Sequence, residues 1–319
     1  MRKSCKYRIF EWLGDSRTLP ASLIFLLAAG TIACVPQTSR EKSENRADSS
    51  GNTNAETTTV MALSPALTEQ LFFLFPPERI AAVSQACNFP PETSEKPKIQ
   101  TYPLDIEQVL ALRPGLLVTE TGMTQPQDIA RLRRFGIPVR VMQYRKTEDI
   151  LNGMDTLARN LRALPEAMTR LRSLRDTLTR LGQESAATTS RPTILVVTWT
   201  DPVFAYGYET WISDKIWLAG GKNVLTRALD KPYPVLQRET ILSLNPDIIM
   251  GKSFEEMDRV FFSRYPELKT IRAYRTKSVF AFDDDLMSRP GPRFAESVRE
   301  IQRCIMLHNS RKEGRIPAS

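Results

Sequence analysis

A phrase that occurs twice restricts this chain more than anything else in it. Glu107-Gln-Val-Leu-Ala-Leu-Arg-Pro-Gly-Leu-Leu-Val reappears 132 residues later as Glu239-Thr-Ile-Leu-Ser-Leu-Asn-Pro-Asp-Ile-Ile-Met, with four of twelve positions identical. Each copy reads as a glutamate, apolar residues at helical spacing, a proline that stops the helix, and an apolar run short enough for a buried strand. The separation is far too long for a solenoid period. It points to two similar α/β lobes, each with a carboxylate near the start of an equivalent helix. Matched lobes suggest a cleft between them, and matched surface carboxylates suggest docking onto a symmetric partner. The same helix–Pro–strand order occurs in many α/β proteins, and a helix N-terminus favours an acidic residue in any fold.

The N-terminus reads as an export signal. Arg2, Lys3, Lys6, Arg8 and Arg17 precede the uncharged stretch Leu19–Ala33, which is 15 residues long and interrupted by Pro20 and Gly30. That is short of the ~20 apolar residues a membrane-spanning helix needs. The stretch ends in Thr31-Ile32-Ala33-Cys34, which resembles a bacterial lipobox and would make Cys34 the lipidated first residue of the mature protein. An uncleaved signal anchor is the alternative. Residues 34–58 are dominated by Ser, Thr, Asn, Glu, Lys and Arg, too polar to bury surface against the entropy of ordering, and read as a flexible linker. The expected organisation is a signal peptide at 1–33, the linker at 34–58, an N-terminal lobe at 59–160, a connecting helix at 161–184, a C-terminal lobe at 185–307 and a frayed tail at 308–319.

Strands at 58–63, 80–84 and 139–142 alternate with helical patterns at 65–75 and 126–135, which implies a mainly parallel sheet. After Pro165, the residues Met168, Leu171, Leu174, Leu178 and Leu181 recur at three- and four-residue steps. They predict a single long helix that bridges the lobes and resists wide hinge closure, with an ordinary surface helix of one larger domain as the alternative. The second lobe repeats the plan from Thr193 onward and closes on a C-terminal helix with Phe294, Val298, Ile301 and Ile305 on one face.

The charge balance, 44 Lys and Arg against 36 Asp and Glu, carries no dense basic run and no nucleic-acid motif. The single histidine, His308, leaves no cluster to hold a bare transition metal, so a metal in the cleft arrives inside a chelate. Ser64 has no nearby histidine as base, and no glycine-rich phosphate loop follows a strand, so an enzyme is not expected. Asp283-Asp284-Asp285 reads as a solvated acidic loop rather than an acid/base cluster. Cys87 and Cys304 are read as two free, buried thiols, with a disulfide as the alternative.

Several passages in order resemble solute-binding proteins of the helical-backbone class, which serve ABC importers of cobalamin, haem and ferric siderophores. They are Leu63-Ser-Pro-Ala-Leu-Thr-Glu69, Cys87-Asn-Phe-Pro-Pro-Glu92, both glutamate phrases, Leu218-Ala-Gly-Gly-Lys-Asn-Val224 and Ser288-Arg-Pro-Gly-Pro-Arg293. The resemblance spans residues 60–305 and implies two α/β lobes with mainly parallel sheets, joined by one long backbone helix, with the ligand between them. It implies that Glu107 and Glu239 engage arginines of a permease dimer. Thr210-Trp-Ile212 and the Ser-Arg-Pro-Gly-Pro-Arg passage look most like the cobalamin-binding branch, in which aromatic side chains grip a flat corrin. The candidates are Phe89, Tyr102, Trp199, Tyr206, Trp211 and Tyr233, each of which also suits ordinary packing. Arg289 and Arg293 suit either an anionic ligand group or a structural tie to the last helix. The implied protein is a monomeric, lipid-anchored extracytoplasmic receptor without a cofactor of its own, delivering a corrinoid or iron chelate. A ferric-siderophore or haem receptor of the same fold, and an exported interaction protein without a transport role, are the alternatives.

Overall fold

The computed structural model describes residues 58–225 and 231–315. The expected signal peptide, Cys34 and almost all of the expected linker lie outside the described residues.

The first sheet is built from β1 (Val60–Ala62), β2 (Ile80–Ser84), β3 (Lys98–Ile99), β4 (Leu116–Glu120) and β5 (Val139–Met142), in the order β3-β2-β1-β4-β5. Every pairing in it is parallel. The second contains β6 (Thr193–Thr200), β7 (Val203–Ala205), β8 (Lys222–Asn223), β9 (Val235–Leu236), β10 (Ile248–Gly251) and β11 (Val279–Ala281). Its order is β11-β10-β6-β7-β9, with β8 alongside the start of β6. Here β7 runs antiparallel to both β6 and β9, a hairpin that the strand–helix alternation did not announce. The two central pairs correspond: Val60 faces Leu116 across β1 and β4, as Ile194 faces Ile248 across β6 and β10.

Helices α1 (Pro65–Leu74), α2 (Ile106–Leu112), α3 (Pro126–Arg134) and α4 (Thr147–Asn160) belong to the first lobe. Sequence patterning passed over α4, although Ile150, Leu151, Met154, Leu157 and Ala158 form its buried stripe. The bridge α5 (Pro165–Ala186) has 22 residues, a rod of about 33 Å. Ala167, Leu171, Leu178, Leu181 and Ser185 make a narrow buried seam along it. In the second lobe follow α6 (Trp211–Leu218), α7 (Arg238–Leu244), α8 (Phe254–Met257), α9 (Arg272–Arg275), α10 (Asp284–Ser288) and α11 (Phe294–Lys312).

Alternation along the central strands decides where the core sits. Val60 and Ala62, with Ile194 and Val196, point into one continuous apolar cluster that also takes in Leu171 and Leu178 of the bridge and Val298 and Ile301 of α11. Met61 and Leu63 point the other way, into a cluster with Ile106 and Val109 of α2. Leu195 and Val197 do the same in the second lobe, meeting Ile241 of α7. The inner faces of both sheets thus share one core. Rotating one lobe against the other would expose it, at ~25 cal/mol per Å² of apolar surface.

The expected frayed tail from residue 308 is corrected. Helix α11 continues to Lys312, and His308 is buried with its Nδ1 against Ser278 Oγ at 2.8 Å. Polar contacts hold that extra turn to the residues before β11, His308 with Ser278 and Arg311 with the Lys277 carbonyl, and hydropathy alone does not show them. Cys87 and Cys304 are both free and buried, and burial pushes the Cys304 thiol up to about 12.

Candidate functional site

Between the lobes lies a concavity of about 220 Å³. Its walls come from the C-terminal ends of β4 and β5, which supply Glu120 and Met142, from the start of α6, with Glu209 and Trp211, and from the loop before β9, with Tyr233. The C-terminal ends of parallel strands are where open α/β sheets leave room for ligands.

Glu120 ends β4, and its carboxylate Oε1 accepts a hydrogen bond from Ser64 Oγ. Burial pushes its pKa above the ordinary carboxylate value, and the Ser64 hydrogen bond works against that rise. Ser64 also caps α1, receiving the Leu67 amide at 3.2 Å. Tyr144 donates to Gln70 Oε1 at 2.8 Å, and Gln70 Nε2 donates to the Pro290 carbonyl at 2.7 Å. Burial drives the Tyr144 hydroxyl well above its usual range, with the Glu120 charge adding to it. On the opposite wall Trp211 opens α6 behind the Thr210 cap. Its indole N–H is buried and has no hydrogen-bond partner among the described residues. Tyr233 meets Tyr206 edge-on with centroids 5.6 Å apart, and burial pushes Tyr206 up to about 12.

Polar ties between the lobes flank this cleft. Thr147 at the start of α4 gives both its amide and its hydroxyl to Asp214 Oδ2 of α6, at 2.7 and 2.9 Å. Glu69 of α1 receives Arg289 Nη1 at 2.8 Å, and Arg293 through Nε at 2.9 Å and Nη2 at 2.7 Å. Asn88 extends the tie to Asp285 and Arg289. Each tie joins a residue before α5 to one after it.

Of the aromatic residues singled out in the sequence, Trp211 and Tyr233 line the cleft and Tyr206 backs Tyr233. Phe89 lies under the Arg293 guanidinium at 4.1 Å. Tyr102, 85% exposed, stands in the turn after β3, and Trp199, 63% exposed, sits on the β6–β7 hairpin with its indole N–H bonded to the Asp201 carbonyl. Neither lines the concavity. Arg289 and Arg293 are matched by Glu69, and Arg289 also by Asp285 at 2.7 Å. Glu120, Tyr144 and Glu209 went unremarked in the sequence. The signal for Glu120 was its place at the end of the strand that follows the first repeated phrase.

Glu107 and Glu239 are exposed, each the second residue of its helix, α2 or α7. A larger concavity, about 360 Å³, lies beside Glu239 between Asp201, Val235 and Tyr265, away from the interlobe cleft. Glu239 is paired with Arg238 at 2.8 Å, and Arg238 also lies 3.2 Å from Glu267. Among the described residues, no helix is long and apolar enough to cross a membrane.

The profile of the family described as "Periplasmic binding protein" matches residues 60–286, and the chain belongs to that family. It is a binding protein rather than an enzyme, and membership implies an extracytoplasmic location. A "Vitamin B12-binding protein" of Vibrio parahaemolyticus is 23% identical over 243 residues, covering 76% of this chain and 87% of that protein. The crystal structure of the periplasmic vitamin B12 binding protein of Vibrio cholerae superposes with a TM-score of 0.69 at 21% identity, covering 79% of this chain and 98% of that one. The periplasmic heme binding protein of the same organism gives 0.67 at 19% identity, over 78% and 98%. At these identities the structural likeness establishes the fold alone.

Proposed function

We propose that this periplasmic binding protein captures a flat metal chelate, cobalamin before haem or a ferric siderophore, in its interlobe cleft and delivers it to an ABC importer. The observation that carries the reading is Trp211, an aromatic side chain with a buried indole N–H still unbonded, on the same cleft wall as Tyr233 and across from Glu120. A flat ring buried against such a side chain gains both area and stacking, and an edge acceptor would complete the indole. Relatives named for vitamin B12 agree with this choice. The volume of about 220 Å³ falls below the ~300–1,000 Å³ usual for enclosed ligands, so a corrin would be held by one face and edge, with the remainder in solvent.

Glu107 and Glu239 are the docking points for the two permease subunits, and Cys34 carries the lipid that tethers the protein. Tyr102, Trp199 and Phe89 would reach a ligand only beyond the rim of the cleft. Arg289 and Arg293 serve first as the structural tie to Glu69.

Calorimetric titration with cyanocobalamin, haemin and a panel of ferric siderophores tests the reading. Cyanocobalamin should bind, and Trp211→Ala should weaken it by about tenfold or more. Preference for haemin would move the assignment to the haem receptor. Silence with every ligand would replace it with the exported interaction protein. Replacing Cys34 with Ala should release the protein from the membrane fraction.

A further inference from the structure

One carboxylate on the wall of the cleft is chemically complementary to a primary amide. Glu120 has Ser64 as its only protein donor among the described residues, which binds Oε1 and leaves Oε2 for a ligand. An amide edge presents an N–H to that oxygen. A carboxylate edge offers no proton and meets Glu120 as a like charge, in surroundings that screen it less than water does.

The other charged groups nearby do not reverse this. Glu209, also on the cleft wall, adds a second negative charge, and Arg145 is an exposed cation at the rim. Arg289 and Arg293, which would otherwise draw an anionic ligand, are matched by Glu69. Tyr144, beside Glu120, has its hydroxyl proton engaged by Gln70.

We propose that Glu120 is the specificity-determining residue of the cleft, selecting chelates with an amide-bearing edge and rejecting those with a carboxylate-bearing edge. This rests on the chelate-receptor reading above and gives it a reason to favour a corrin fringed with amides over haem with its propionates. Rejection here comes from a placed repulsive charge as well as from a lost contact, the usual way a site discriminates between isosteric partners.

Dicyanocobinamide and the heptacarboxylate dicyanocobyrinic acid share one ring face and differ at the edge, so their affinity ratio isolates this effect. The wild-type chain should prefer the amide corrin by roughly tenfold or more. In Glu120→Gln the neutral amide side chain is a weaker acceptor and no longer repels. The amide corrin should therefore bind more weakly and the acid corrin more tightly, with the ratio moving by about tenfold. Parallel weakening of both, or an unchanged ratio, would overturn the proposal, because a merely structural role moves both ligands together. Should the variant fold poorly, the wild-type ratio against pH decides. Protonating Glu120 removes the preference, so the ratio should fall as pH is lowered toward the carboxylate range, and burial moves that fall upward in pH. A ratio flat through that range sinks the proposal. Equal binding of both corrins by the wild type would remove Glu120 alone from the account, whereas binding of neither would remove the chelate reading with it.

Discussion

The two lobes solve the same problem with opposite charges. Helix α1 begins after its cap Ser64 and α6 after its cap Thr210, and both side chains receive the amide three residues on. Five residues past each cap, α1 carries Glu69 and α6 carries Lys215, both buried. Glu69 gathers Arg289 and Arg293. Lys215 Nζ donates to the carbonyls of Leu286 and Met287 at 3.2 and 2.7 Å and lies 4.9 Å from the Phe294 ring centroid. Burial lowers the Lys215 pKa to about 7, with Glu69 opposing that fall and Arg293 adding to it. A duplicated architecture can thus diverge at one equivalent position to produce a charged joint between its halves. That joint holds the lobes in register where a hydrophobic core alone specifies no particular pairing.

The repeated phrase diverges in the same manner. In both copies the helix ends on a left-handed residue, Arg113 at φ 43° and Asn245 at φ 43°, immediately before the proline. Asparagine tolerates that conformation, and Asn245 Oδ1 also receives the Arg272 amide at 2.8 Å, whereas arginine simply bears the strain. Glu239 is held by Arg238, while no ion pair engages Glu107 among the described residues.

The largest effect is expected at the joint. Glu69→Ala leaves Arg293 uncompensated and Arg289 with Asp285 alone at the lobe boundary, and should lower stability by about 3–5 kcal/mol in denaturant unfolding. A loss below ~1 kcal/mol would mean the lobes do not depend on this pair. Lys215→Met, with a similar shape and no charge to bury, should stabilise the protein at neutral pH by about 1–3 kcal/mol. The sign of its pH dependence follows from a folded pKa near 7 against an ordinary value of 10.5. Between these values the unfolded chain holds more protons, so the wild type gains stability as pH rises through the window, and below it the burden is complete. The Met variant should lack that rise, and an identical profile in both proteins would refute the assignment.

Docking should be lopsided. Glu107→Ala is expected to cut stimulation of the importer by about tenfold and Glu239→Ala by less, because Arg238 already competes for the second carboxylate. Equal losses in a reconstituted transport assay would make the lobes equivalent in function despite their different surroundings. The smallest effect belongs to the helix ends. Arg113→Gly should raise the thermal midpoint, reflecting a gain of up to about 1 kcal/mol, and Asn245→Gly should not.

Much of this was legible in the sequence because it depends on local rules. Pro165 and the leucine spacing announced the bridge, and the serine–proline start announced α1. Of the six aromatic candidates, Trp211 and Tyr233 line the cleft. Arg289 and Arg293 stood open in the sequence between a ligand grip and a structural tie, since nothing local shows that a carboxylate 220 residues away, Glu69, receives Arg289. The acidic run at 283–285, read as a solvated loop, is instead local helix structure: Asp283 caps α10, and Asp285 pairs with Arg289 four residues on.

The sequence by itself determined two α/β halves, a rigid link between them and a carboxylate at the head of each repeated helix, because periodicity, capping and proline placement act within a turn or two of chain. Only the tertiary structure decided which charges are matched and which remain for a partner. Pairing depends on groups far apart in the chain meeting where water is excluded. There Glu69 binds two arginines, while Glu120 keeps a single protein donor and the Trp211 indole has no acceptor among the described residues.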